Sequence, residues 1–120
     1  MDCLFCKITQ DEVPAFKIHE DDQVLAFLDI YPEAPGHVLV IPKQHFKDIT
    51  DVDIDTLGEI FQIVKLLYNK IDFNLKPDGI RIVQNNKDLQ EIMHLHFHII
   101  PTYKKKPNLS LEEVQELLEK

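Results

Sequence analysis

The chain has 120 residues, 44% of them hydrophobic, and both values suit one domain with a single core. Its 21 acidic and 13 basic residues give a formal net charge of −8, which argues against the long basic face that nucleic-acid binding requires. There is no apolar run long enough to span a bilayer and no apolar signal segment behind Asp2. We therefore expect a soluble, cytoplasmic protein whose partners include neither nucleic acid nor membrane.

The first 42 residues predict three strands. The apolar runs "FKI" (16–18) and "QVLAFL" (23–28) flank an acidic cluster, which predicts a hairpin with a polar turn. The segment "DIYPEAPGH" (29–37) holds two prolines and a glycine and predicts a loop. The β-branched run "HVLVIP" (37–42) follows and predicts a third strand that ends at Pro42.

The hydrophobic period then changes from that of a strand to that of a helix. Between residues 50 and 75 the apolar side chains recur at helical spacing, which predicts one long amphipathic helix capped by Thr50 or Asp51. "KPDG" (76–79) predicts a turn, "IRIVQ" (80–84) a fourth strand, and "IMHLHFHII" (92–100) a fifth strand stopped by Pro101. Ser110 and Glu113 form a capping box that predicts a short final helix.

Together these elements predict an α+β fold. Its main domain comprises residues 1–106, with the long helix packed on an antiparallel five-stranded sheet. Residues 107–120 form a C-terminal helical tail, which we expect to lie on the surface.

The histidines in "HLHFHII" (94–100) occupy every second position. In a strand His94, His96 and His98 would share one face, while the apolar residues between them face the helix. Neighbouring histidines would then be about 6.6 Å apart and the outer two roughly 13 Å apart. One zinc ion, with bonds to nitrogen of about 2.0 Å, does not easily bind all three. A polar, solvated strand face is the alternative, and a cupin-type H-x-H site lacks the glutamate that should follow.

A metal site is predicted by a separate group of cysteines and histidines. Cys3 and Cys6 form a C-x-x-C pair, which supplies two thiolates in the geometry common in tetrahedral zinc sites. His45, just after the third strand, and His94 can complete the set and pin the N-terminus to the sheet. Two reduced, partly buried cysteines or a C-x-x-C redox pair are the alternatives.

At this point the sequence resembles the histidine-triad (HIT) family. The resemblance is carried by "CLFCKI" (3–8), "LAFLDIYPEAPGHVLVIPKQH" (25–45), "GIRIVQNN" (79–86) and "HLHFHIIP" (94–101), in the family's order. It implies an enzyme that hydrolyses or transfers nucleoside monophosphates from nucleoside phosphoramidates or dinucleoside polyphosphates. It also implies a homodimer joined through the long helix and the adjoining strand.

The resemblance assigns roles to individual residues. It implies that His96 is the nucleophile, and that His37 and His98 contact the phosphate. A neutral imidazole can attack the α-phosphorus and give a nucleotidyl-histidine that water cleaves. The implied ligands of a structural zinc ion agree with the set reached from spacing: Cys3, Cys6, His45 and His94.

The same resemblance implies a site for a purine nucleotide. Asp29 would hold the ribose hydroxyls, and Asn85 and Gln90 would contact the phosphate. An apolar slot for the base would be formed by Phe5, Ile8, Phe27 and Ile30. Core packing is the alternative role for the apolar residues, and ordinary loop polarity for the two amides.

The chain departs from the family pattern before the histidines. "KDL" (87–89) stands where the family has a longer, glycine-rich stretch, so backbone amides that would cradle a phosphate are less assured. The chain also has no tryptophan and so lacks the aromatic C-terminal signature of the phosphoramidase branch. The alternative to an enzyme is therefore a zinc-stabilised nucleotide-binding protein with weak or no catalysis.

Overall fold

The structure, a computed structural model, describes residues 3–119. Its helices are α1 (Leu4–Thr9), α2 (Ile54–Leu75) and α3 (Leu111–Leu118), and its strands are β1 (Lys17–Glu20), β2 (Val24–Leu28), β3 (Val38–Pro42), β4 (Gly79–Gln84) and β5 (Phe97–Thr102). The strands form one antiparallel sheet in the order β1-β2-β3-β5-β4. The predicted α+β fold is confirmed, and α1 is an additional helix that the sequence analysis did not predict.

The central strands β2 and β3 are buried on both faces of the sheet. Alternation in β2 sends Val24, Ala26 and Leu28 into the core that contains α2. Leu25 and Phe27 point the other way, into a second apolar cluster that α1 completes. Helix α1 covers only part of this second face of the sheet. The neighbouring part of the same face is therefore available for a site.

Helix α2 begins at Ile54 with Asp53 as its N-cap, so the predicted cap at Thr50 or Asp51 was wrong. The Asp53 carboxylate accepts the Thr56 amide at 3.0 Å. Asp51 is instead used by a preceding turn, where its carboxylate accepts the Lys47 amide at 2.9 Å. The buried side of α2 packs on the sheet through Ile60, Val64, Leu67 and Ile71.

Strand β5 begins at Phe97, five residues later than predicted. Residues 91–94 bend instead, because the His94 amide donates to the Ile92 carbonyl at 2.8 Å. The chain then rejoins the direction of the sheet, with the Leu95 amide on the Phe46 carbonyl at 2.7 Å. The predicted alternation holds across this boundary, because Leu95, Phe97 and Ile99 all enter the core with α2.

The C-terminal segment packs against the domain. The predicted capping box of Ser110 and Glu113 starts α3, and Val114 and Leu118 are buried in the same core as α2. Helix α3 thus lies on the surface with its apolar side packed into the core, as an amphipathic helix does. The domain boundary after residue 106 stays a prediction.

Within residues 3–119, no helix is both long enough and apolar enough to cross a membrane. The longest, α2, carries several charged side chains, among them Glu59, Lys65 and Asp72. The cytoplasmic location stays a prediction.

Candidate functional site

The predicted catalytic histidines meet on the sheet face that α1 leaves partly open. His98 lies on β5 directly opposite Leu39 of β3, and His37 stands two residues before Leu39. The nearest atoms of His37 and His98, Nε2 and Nδ1, are 2.9 Å apart. The ring of His96 is 5.0 Å from that of His98, centroid to centroid. Sheet pairing thus brings together three histidines that are up to 61 residues apart in sequence.

The four predicted metal ligands form a separate cluster. Cys3 Sγ is 3.4 Å from His94 Nδ1, Cys6 Sγ is 3.4 Å from His45 Nδ1, and all four ligand atoms lie within 4.8 Å of one another. A tetrahedral ion with bonds of about 2.3 Å to sulfur and 2.0 Å to nitrogen separates these atoms by about 3.5 Å. The donor set and its spacing therefore fit a zinc-sized ion.

Hydrogen bonds to backbone groups orient the side chains of this cluster. His94 Nε2 lies 2.8 Å from the Pro42 carbonyl, so Nε2 carries the proton and Nδ1 faces the thiols with a lone pair. The Cys6 amide lies 3.3 Å from Cys3 Sγ and stabilises charge on it. Burial raises the pKa of Cys6 to about 11, so a bound cation is needed to keep that sulfur as a thiolate.

His96 is held in one tautomer. Its Nδ1 lies 2.7 Å from the His94 carbonyl, which can only accept, so Nδ1 carries the proton and Nε2 has the free lone pair. Burial lowers the pKa of His96 below its usual 6.5, which keeps the ring neutral. The ring edge packs on Phe5 of α1, with centroids 5.1 Å apart. These contacts fix the position of the imidazole and its tautomer.

His37 and His98 form a directed hydrogen-bond chain. The Glu33 amide donates to His37 Nδ1 at 3.1 Å, so His37 must carry its proton on Nε2 and donate it to His98 Nδ1. His98 is left with its own proton on Nε2, as a donor. Burial, with His96 and His37 beside it, lowers the pKa of His98 to about 4. Although Asp29 adds a third potential ligand here, the shared proton between the two rings suits a hydrogen bond rather than a metal.

The proline-rich loop that carries His37 is tightly held. The Tyr103 hydroxyl donates to the Pro35 carbonyl at 2.6 Å. Gly36 has φ +94°, and a Cβ there would lie 2.6 Å from Leu75 Cδ1. A residue with a side chain would be strained at this φ and would crowd Leu75 and Pro101, so glycine suits the loop that carries His37.

Two cavities share His96 and His98 as a common wall. The first has a volume of about 280 Å³ and is mainly apolar. It includes every residue predicted for the base and the ribose: Phe5, Ile8, Phe27, Ile30 and Asp29. One Asp29 oxygen accepts the Tyr31 amide at 2.9 Å, and the other lies 3.6 Å from His37 Nε2. The structure thus gathers the predicted nucleoside residues on one side of the histidines.

The second cavity, of about 260 Å³, lies on the other side of the same two histidines and is more polar. Asn85, predicted to contact phosphate, lines it. The sequence analysis missed three charged residues that also line it: Glu33, Arg81 and Glu91. Sheet register was the available signal for Arg81, since Arg81 and Val83 share a face of β4 and Val83 pairs with His98.

Gln90, the other amide predicted to contact phosphate, lines neither cavity. It is buried, and its side chain accepts the Lys87 amide at 3.1 Å and donates to the Lys47 carbonyl at 2.8 Å. Lys87 stands at φ +58°, the left-handed conformation that glycine adopts without strain. The short "KDL" loop thus turns without glycine, and Gln90 holds it in place.

Comparison with known proteins places the chain among relatives. The sequence pattern of the HIT domain matches residues 10–105. A HIT-like protein of Methanocaldococcus jannaschii is 45% identical over 103 residues, 84% of this chain and 79% of that protein. The adenosine 5′-monophosphoramidase HNT1 of Candida albicans is 42% identical over 105 residues, 82% of this chain and 69% of that enzyme.

A solved structure agrees over almost the whole chain. The crystal structure of a Zn-bound histidine triad family protein from Mycobacterium smegmatis matches with a TM-score of 0.90 at 32% identity, covering 99% of this chain and 91% of that one. Both the sequence and the fold therefore lead to one conclusion: this chain belongs to the HIT family.

Proposed function

We propose that the protein is a nucleotide hydrolase or transferase that cleaves at the α-phosphate of nucleoside phosphoramidates or dinucleoside polyphosphates. One observation carries the proposal: the free Nε2 of a neutral, buried His96 lies on the wall that an apolar and a polar cavity share. A phosphate placed there has room for a nucleoside on one side and a leaving group on the other.

The chemistry follows in two displacements. The Nε2 lone pair of His96 forms a bond to the α-phosphorus, and the bond from phosphorus to the leaving group breaks. An amine leaves with the electron pair of that bond and a proton from solvent. Water then attacks phosphorus, the bond to Nε2 breaks, the proton of the water returns to solvent, and the nucleoside monophosphate is released.

Neighbouring polar groups support both displacements. The hydrogen bond from His96 Nδ1 to the His94 carbonyl stabilises the positive charge that the ring gains on attack. The Nε2 proton of His98 can donate to a phosphate oxygen as negative charge develops there. Asp29 has a second oxygen beyond the one on Tyr31, which can accept ribose hydroxyls.

We also propose that the cluster of Cys3, Cys6, His45 and His94 holds a structural zinc ion. The donor types and their spacing support it. The ion, when bound, supplies a crosslink between α1, the segment after β3 and the bend before β5. No position is left for a substrate ligand when four protein atoms coordinate.

The direct test is product analysis with purified protein. Adenosine 5′-phosphoramidate and diadenosine tetraphosphate are incubated separately, and release of AMP is followed by chromatography. We expect turnover of at least one of them. Tight binding of AMP without turnover of either would contradict the enzyme and support a nucleotide-binding protein.

That second candidate is favoured by one feature, the loop of residues 85–90. Three of its amides are used inside the loop: Lys87 on the Gln90 side chain, Leu89 on the Asn86 carbonyl and Gln90 on the Lys87 carbonyl. They are therefore not available as phosphate donors. A site with fewer donors stabilises the transition state less and binds nucleotide with weaker catalysis.

We propose a homodimer, which one exposed apolar surface supports. β4 is an edge strand, and Ile82 on it pairs with Ile99, on the face that α2 covers. Phe61 of α2 packs on Phe97 and remains 48% exposed, and Ile82 is 46% exposed. An unpaired strand edge beside exposed apolar side chains is well suited to pair with a second copy.

Replacing Phe61 with lysine is expected to shift the protein from dimer to monomer in sedimentation-velocity experiments, because a charge would be buried at the interface. Phe73→Lys is the matched control, since Phe73 is exposed on the same helix about 120° away around its axis. A monomeric unmodified protein, or equal effects of the two substitutions, would contradict the proposed interface.

The loss of activity at acid pH is expected at a lower pH than an ordinary histidine would give. Burial lowers the pKa of His96 below its usual 6.5, and it lowers the pKa of His98 to about 4. The decline of kcat/KM towards acid pH should therefore be centred below pH 6.5, as His96 gains a proton and loses its lone pair.

Folding must be followed in the same pH series. The unfolded chain takes up protons on these histidines near pH 6.5 and the folded one does not, so stability also declines as the pH falls from 6.5 towards 4. Circular dichroism separates unfolding from titration of the site. A decline of kcat/KM centred above pH 6.5 would argue against a buried neutral nucleophile.

A further inference from the structure

The polar cavity beside His96 and His98 has an excess of negative charge. Its charged residues are two carboxylates and one cation: Glu33, Glu91 and Arg81. The cation is already paired, because Arg81 Nη2 lies 2.6 Å from Glu33 Oε1. Among residues 3–119, Glu91 has no ion-pair partner of its own. The Glu91 carboxylate therefore faces the occupant of this cavity without a direct ion pair.

Glu91 is also close to the reacting ring. It lines both the apolar and the polar cavity, whose shared wall contains His96. Its charge acts on the His96 imidazole and opposes the effect of burial on that group. A charge that influences His96 also acts on a leaving group bound to the phosphorus that His96 attacks.

The rest of the cavity suits a short alkyl chain. Val83, Leu89 and Ile100 add apolar surface to the same cavity. Methylene groups can lie on such a surface while a charged end group reaches Glu91. A polyphosphate would instead bring several negative charges to a carboxylate, with the one guanidinium already engaged.

We propose that Glu91 is a specificity-determining residue that selects the leaving group by its charge. It favours a primary alkylamine with a second, distal ammonium group over neutral amines, and disfavours carboxylate and polyphosphate leaving groups. The inference rests on the proposed function, because it concerns the leaving group of that reaction. It adds to that function a substrate class: nucleoside phosphoramidates of diamine-like compounds.

The test uses three adenosine 5′-phosphoramidates of similar leaving-group length. Their amines are 1,2-diaminoethane, propylamine and β-alanine, which are cationic, neutral and anionic at the distal end. The value of kcat/KM is measured for each with the unmodified protein and with Glu91→Gln. Comparing ratios between the two proteins cancels the intrinsic reactivity of each amine.

We expect Glu91→Gln to lower the ratio of cationic to neutral substrate on the order of fivefold, and to raise the ratio of anionic to neutral substrate similarly. Both changes should shrink as salt is added, because the interaction is between charges at a partly exposed site. Glu59→Gln is the matched control, since it removes the same charge from the exposed surface of α2, which packs on the opposite face of the sheet.

The outcomes distinguish a failure of the role of Glu91 from a failure of the proposed function. Unchanged ratios in Glu91→Gln, or equal changes in Glu59→Gln, overturn the role of Glu91 while the enzyme stands. Absence of turnover for all three substrates overturns the proposed function, and this inference with it.

Glu33→Gln gives an independent check on the charge balance. It frees the Arg81 guanidinium, while the Glu33 amide that orients His37 stays in place. We expect it to raise kcat/KM for diadenosine tetraphosphate relative to the propylamine substrate several-fold. A relative decrease would overturn the view that charge in this cavity controls selection.

Discussion

Replacing His96 with asparagine is expected to reduce kcat for adenosine 5′-phosphoramidate by on the order of 10³-fold or more, because the reaction loses its nucleophile. Asparagine is the informative choice. Its amide nitrogen lies near the position of histidine Nδ1, so it can keep the hydrogen bond to the His94 carbonyl while lacking Nε2. Loss of activity with an unchanged melting temperature then reports chemistry rather than misfolding.

His19→Ala is the matched control for this substitution. His19 lies on β1, at the opposite edge of the sheet from β4, and its Nε2 lies 2.8 Å from an Asp21 oxygen. Its removal should leave kcat within about twofold, since surface changes remote from a site have small effects.

Rapid quenching in base followed by mass spectrometry should trap a nucleotidyl group on the unmodified protein. Full activity of His96→Asn would rule out covalent catalysis at this residue.

Replacing Cys3 with serine is expected to abolish stoichiometric zinc binding and to lower the melting temperature by roughly 10 °C or more. A ligand present at about a thousandfold its Kd stabilises the folded state by about 4 kcal/mol, and a domain of this size loses several degrees per kcal/mol. Elemental analysis of protein kept reduced measures the metal, and scanning calorimetry measures the stability. The domain should still fold, because the core around α2 does not include the cluster.

A chelator provides the matching comparison for the zinc site. Strong chelation should bring the melting temperature of the unmodified protein down to that of Cys3→Ser and leave the variant itself unchanged. His45→Ala should behave like Cys3→Ser, whereas His19→Ala should keep its metal, since His19 lies outside the ligand cluster. Less than half an equivalent of zinc in the reduced unmodified protein would contradict a four-ligand site.

Metal loss should affect catalysis indirectly. His94 is both a ligand of the cluster, through Nδ1, and the residue whose carbonyl fixes the tautomer of His96. Loosening His94 lets the nucleophile adopt other orientations, which lowers kcat without removing a reacting group. Stability is therefore expected to fall first, and activity to fall less than in His96→Asn.

Much of the fold could be predicted because its signals are periodic. The alternation in β2 and β3 and the helical spacing from Ile54 to Ile71 reflect buried faces that the sheet and α2 present to each other. Helix α1 was missed because its six residues are too few for a periodic signal, and so short a helix depends on tertiary contacts. Its N-cap is a cysteine rather than one of the usual capping residues.

The predicted start of β5 was wrong, and the structural hydrogen bonds of Gln90 were missed, for a related reason. Both depend on backbone groups from distant segments: the Phe46 carbonyl that accepts the Leu95 amide, and the Lys47 carbonyl that accepts the Gln90 side chain. Local sequence carries no signal for a hydrogen bond to a loop more than 40 residues away. The phosphate contact of Gln90 stays a prediction, while the fold shows that its side chain holds the "KDL" loop.

The sequence by itself determined which chemical groups are present and which faces they share. It placed thiols and imidazoles at ligand spacing, and it set His94, His96 and His98 in alternation with core residues. Only the tertiary structure decided what each imidazole can do. The group that contacts one ring nitrogen decides where the proton sits, and therefore whether the other nitrogen is a hydrogen-bond donor or has a free lone pair for a metal or a phosphorus atom. The Pro42 carbonyl makes His94 a potential ligand, the His94 carbonyl leaves His96 a free lone pair, and the Glu33 amide directs the proton of His37 to His98.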